Sequence, residues 1–114
     1  MTTRDTTEGL SGLSHQVGAC TTECTNAAGR AVDTHLQTRL ASLAGQVDAM
    51  ALRIDAYAHA GKSTASSTVV ALTQQAVAAA AAMRNAQGDD GIYQAMPLMQ
   101  QLFGALEQAF PALS

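Results

Sequence analysis

From residue 36 the apolar positions keep a regular beat. Leu36, Leu40, Leu43, Val47, Met50, Ile54 and Tyr57 follow one another at steps of four, three, four, three, four and three. A stripe held at this spacing for three heptads belongs to a helix with one buried seam, and no strand produces it. No proline interrupts the surrounding stretch, so the pattern predicts one helix over 27–60. Thr25 or Asn26 is placed to cap its start, and Gly61 stands where a left-handed residue closes a helix. His59 and Lys62 put potential positive charge near the negative end of the helix dipole. Gly45, with Ala41 and Ala49 four residues to either side, makes a groove that a second helix can approach closely.

Two further helices follow. Past Gly61 the run KSTASS offers Ser63 and Thr64 as caps, and a helix over 65–86 has Val69, Leu72, Ala76, Ala79 and Met83 on one face, with Val70 and Val77 beside it. Gln87 to Gly91 reads as a break in which Asp89 or Asp90 caps a short turn. Pro97 suits the first turn of a last helix, 97–110, because its missing N–H has no partner to lose there. Residues 1–26 are rich in Thr, Ser and Gly. Leu10, Leu13 and Val17 hint at a short amphipathic helix, but Gly9, Gly12 and Gly18 weaken it, each at about 1 kcal/mol relative to Ala. The expectation is a flexible or weakly helical segment over 1–26 and a bundle domain over 27–114. The fold class is all-α: a long antiparallel helical hairpin, 27–60 against 65–86, with a C-terminal helix packed on it as a three- to four-helix bundle.

Composition supports helices and narrows function. At 114 residues the chain is one domain. Alanine dominates the apolar residues, Trp is absent, and the aromatics are Tyr57, Tyr93, Phe103 and Phe110. Small side chains and closely spaced backbones favour helices over strands. The net charge is −3, and the basic residues Arg4, Arg30, Arg39, Arg53, Lys62 and Arg84 are scattered singly, so no footprint for nucleic acid emerges. The longest purely apolar run, Ala76 to Met83, is far too short to span a membrane. The stretch MTTRDTTEGLSG is polar and has no apolar core segment, so no cleavable signal is expected. The expected location is cytoplasmic, with export by another route an open alternative.

Several local patterns suggest chemistry. Gly61-Lys62-Ser63-Thr64 matches the end of a phosphate-binding loop, but Ala56 replaces its first glycine and a helix, not a strand, precedes it. The corner of a helical hairpin explains it better. Cys20 and Cys24 share one helical face, and so do Asp55 and His59, which makes these four the candidate ligands for a soft or borderline metal. No second Cys pair completes a tetrahedral set, and no cofactor is indicated. Spacing alone assembles no catalytic group, so the expectation is a protein that is not an enzyme. Met99, Leu102, Phe103, Leu106 and Phe110 give the last helix an apolar face with Glu107 its only charge, a candidate for docking a protein partner or a second copy.

The seam's neighbours are Ala, Gln, Ser and Thr rather than Glu and Lys, which favours burial on more than one side. The function expected is therefore that of a helical interaction or assembly protein, self-associating or paired with another helical chain, in an adaptor, chaperone-like or secretion-associated role. The alternative is a small-ligand or metal-binding bundle using Cys20, Cys24 and the histidines. In size, mild acidity and alanine-rich hairpin the chain also resembles the small exported proteins of type VII secretion systems. That resemblance implies a hairpin exported without a cleaved signal. The chain departs from that pattern in having no Trp-x-Gly turn, and in placing Gly61 four residues after Tyr57 where an acidic residue is usual.

Overall fold

Leu10, Leu13, Val17, Cys20, Cys24, Ala27 and Ala31 recur at steps of three and four, and every one is buried. This second ladder makes a core helix of the N-terminal third. The computed structural model describes residues 3–61 and 65–111, with side chains from residue 9 onward, and its first element is α1 (Thr3–Arg30). The weakly helical 1–26 segment is thus corrected to a 28-residue helix. Its glycines lower intrinsic propensity, but most helical stability in a protein comes from burying one face, and burial wins here. Gly12 and Gly18 face open space, so neither is there to admit a neighbour.

The expected single helix over 27–60 is also corrected. It divides at Val32 and Asp33 into the end of α1 and α2 (Thr34–His59). Asp33 is the N-cap, its carboxylate accepting from His35 N at 2.9 Å, so neither Thr25 nor Asn26 starts a helix. The peptide N–H groups of Val32 and Asp33 donate to the two carboxylate oxygens of Asp89 at 3.0 and 2.9 Å. Gln37 Nε2 donates to Ala31 O. The break is therefore satisfied on both sides by side chains, which is what allows a helix to stop in the middle of an apolar pattern. The heptad stripe itself begins at Leu36 and lies wholly within α2.

α3 (Ser66–Asn85) and α4 (Gly88–Ala109) complete an all-α, four-helix bundle, with no strand among the described residues. Gly61 and Gly88 both have φ near +70°, which suits glycine, and Gly61 ends α2 as expected. Lys62, Ser63 and Thr64 lie outside the described residues. The last helix starts nine residues before Pro97, because Ile92, Ala95 and Met96 extend its buried face and Asp89 and Asp90 supply acid to its first turn. Pro97 sits inside α4 on the solvent side, where water can serve the Tyr93 carbonyl that loses its helical donor.

The long antiparallel hairpin exists, but different segments form it. α1 packs along α2, with Ser14 Oγ donating to Ala51 O at 3.1 Å, and α3 packs along α4. α2 and α3, the pair expected to form the hairpin, lie on a diagonal, with no contact among the described residues. Cys20 reaches Ala76 and Arg30 reaches Met83, so α1 and α3 run parallel. α2 and α4 are parallel too, tied at one end by Asp89. At the other end Arg53 Nη1 donates to Phe110 O at 3.1 Å and Tyr57 OH donates to Pro111 O at 2.7 Å. Tyr57 and Phe110 meet edge to face, ring centres 5.1 Å apart. The helices follow the 47 Å long dimension, and none among the described residues is long and apolar enough to cross a membrane.

Candidate functional site

Each sequence-derived candidate has a definite place in this bundle. Cys20 and Cys24 are rungs of the α1 ladder, fully buried and unbridged. Cys20 Sγ donates to Ala76 O of α3 at 3.2 Å. Burial pushes the Cys20 thiol up to about 11. For Cys24, burial first and the neighbouring Cys20 second push it up to about 12. The nucleophilic and metal-binding form of cysteine is the thiolate, so two protonated, desolvated thiols are poor reagents in the folded chain.

Asp55 and His59 lie on the last turns of α2. His59 Nδ1 pairs with the backbone oxygen of Asp55 at 2.8 Å rather than with its carboxylate. Among the described residues no three His, Cys, Asp or Glu side chains gather as a metal-ligand set. The structure therefore does not bring the four metal candidates together.

The C-terminal group divides. Met99, Leu102, Leu106 and Phe110 are fully buried against the other helices, so in this fold that face is covered by the chain itself. Phe103 is the exception. It is only partly buried and lines a cleft between α2 and α4. Leu43 and Met96 form the apolar wall with it, and Arg39, Ser42, Gln46 and Gln100 surround them. The cleft holds about 220 Å³. Arg39 has no hydrogen-bonding or ionic partner among the described residues.

A second surface lies on the outward side of α3. Val70, Ala71, Gln74, Val77 and Ala78 are all exposed, Val70 to 54% and Val77 to 47%. From Ala65 to Met83 this helix has no charged residue, and Arg84 in its last turn pairs with Glu23 of α1 at 3.7 Å. α2 interleaves charge on its outer side with Arg39 and Asp48, whereas α4 has its charges only near its ends, at Asp89, Asp90 and Glu107. The lack of charge over 65–83 is visible in the sequence. What periodicity does not reveal is that Val70 and Val77 turn to solvent, because that depends on which sides of α3 are taken by α1 and α4. The cleft has no linear signal at all, since it needs α2 beside α4.

Comparison with protein-family models finds no match to this chain, and neither curated proteins nor solved structures yield one.

Proposed function

We propose that the protein is a non-enzymatic helical assembly protein that self-associates through the outward face of α3. The observation that supports this reading is the charge-free, half-exposed Val70–Val77 face, its two valines seven residues apart. A heptad step returns to nearly the same side of a helix, so the two side chains form one line. In a two-fold contact the same patch meets itself. A face without charge leaves no ion to be desolvated when that happens. Ala71 and Ala78 beside the valines let a second helix come near. Burying this face also removes apolar surface from water, the general driving force for association.

Light scattering on purified protein at micromolar concentration tests the proposal, with a dimer or larger species expected. Val77→Glu should give a monomer with unchanged helix content, because the site is exposed and the fold does not depend on it. A wild-type protein that stays monomeric at high micromolar concentration would overturn the reading. So would an assembly that ignores Val77→Glu.

A further inference from the structure

We propose that the cleft between α2 and α4 binds a small monoanionic carboxylate with a short apolar tail, its head paired to Arg39 and its tail laid over Leu43, Met96 and Phe103. The inference is separate from assembly through α3 and uses a different side of the bundle.

The polarity of the cleft argues for an anion. Its lining has one cation, Arg39, and no acid. That cation has no partner among the described residues, whereas Arg53 donates to Phe110 O, Arg30 to Met83 O and Arg84 pairs with Glu23. A guanidinium presents a planar fork of donors that matches a carboxylate with two parallel hydrogen bonds. Ser42 lies one helical turn from Arg39 on the same side, so its hydroxyl is available to the same head group.

Size and lining argue for the tail. Arg39 and Gln46 are seven residues apart, roughly 10 Å along a helix. At about 220 Å³ the cleft falls below the roughly 300–1,000 Å³ of typical drug-sized sites, so it suits one head and a short tail rather than a nucleotide or a large cofactor. Met96 adds an unbranched, adaptable wall and Phe103 a flat one. Gln46 and Gln100 border this apolar strip without adding charge. Arg39 is exposed, and exposed ion pairs contribute little, so the guanidinium supplies the choice of head rather than tight binding. Phe103, the least buried of the three apolar residues, gives the tail most of its contact.

Octanoate is a suitable probe, with octan-1-ol and octylammonium as neutral and cationic counterparts, each followed by amide NMR titration of the full chain. Octanoate should give saturable shifts confined to residues 39–46 and 96–103, and the counterparts should bind at least about tenfold more weakly. Arg39→Gln should weaken octanoate by a similar factor and abolish its advantage over the alcohol. Ser42→Phe, filling the cleft from an exposed position, should remove binding while Arg39 remains. Absence of saturable shifts would overturn the proposal. It would also fail if the shifts centred on α3, if octanol bound as well as octanoate, or if Arg39→Gln bound like the unaltered chain. Because Val77→Glu leaves the cleft untouched, its octanoate binding distinguishes failure of this site from failure of assembly.

Discussion

α1 and α2 lie side by side in one hairpin and have the same three-and-four spacing, yet they are built from different material. The buried side of α2 is mostly large, Leu36, Leu40, Leu43, Val47, Met50 and Ile54, with only Ala44 and Ala51 small. After Leu13 the buried side of α1 thins to Val17, Cys20, Cys24 and Ala27, and three of the helix's glycines have no neighbour close enough to fill the space. α1 offsets its small rungs by position. It packs against both α2 and α3, and Ser14, Cys20 and Arg30 each donate to a carbonyl of a facing helix. Among the core side chains of α2 no such bond occurs in the described residues. A bundle can thus hold one helix by bulk and another by close approach and polar anchoring.

That contrast predicts unequal sensitivity. Leu40→Ala on α2 should have the largest effect, lowering stability by about 2–5 kcal/mol in urea denaturation, since it removes fully buried methyl groups and leaves a void. Alkaline pH comes next and acts through α1. Well below pH 9.0, the ordinary thiol value, both folded and unfolded chains keep Cys20 and Cys24 protonated. Above it the unfolded chain releases protons that the folded chain retains up to about 11 and 12, so stability should fall as pH rises through that window. Urea midpoints at pH 8 and pH 10 check the sign, and the Cys20→Ala, Cys24→Ala pair should blunt the decline. At neutral pH, Cys24→Ala alone should lower stability by only about 1 kcal/mol, because the lost group is small. The smallest effect should have the opposite sign. Gly18→Ala meets nothing within 4 Å and should raise stability by about 0.5–1 kcal/mol, seen as a higher melting temperature. If Cys24→Ala proved as damaging as Leu40→Ala, the idea of a lightly built α1 would fail.

These same differences decide what could be read along the chain. The α2 stripe is legible because its rungs are bulky and unbroken, and the all-α class follows from it and from the alanine content. α1 was obscured by its own composition. Cys20 and Cys24 read locally as possible ligands although they continue the beat of Leu10, Leu13 and Val17. The break at Asp33 was obscured for a different reason: part of what satisfies it is Asp89, 56 residues away. Pro97 suggested a helix start because local rules cannot weigh Ile92 and Met96 against the rest of the core. For the site, Phe103 was legible as an apolar residue near the C-terminus. Its distinction from Met99, Leu102, Leu106 and Phe110 arises only where α4 lies beside Arg39 and Gln46.

The diagonal placement of α2 and α3 makes the molecule two hairpins, α1–α2 and α3–α4, with residues 60–65 as their only covalent link. Every other tie between the halves is noncovalent: the α1–α3 seam, the Asp89 bonds at one end and the Arg53 and Tyr57 bonds at the other. Cleavage within that link would leave two fragments, each already paired with itself and each displaying the surface the other needs. Such halves are suited to fragment complementation, and hairpins from two chains can trade places by the same contacts.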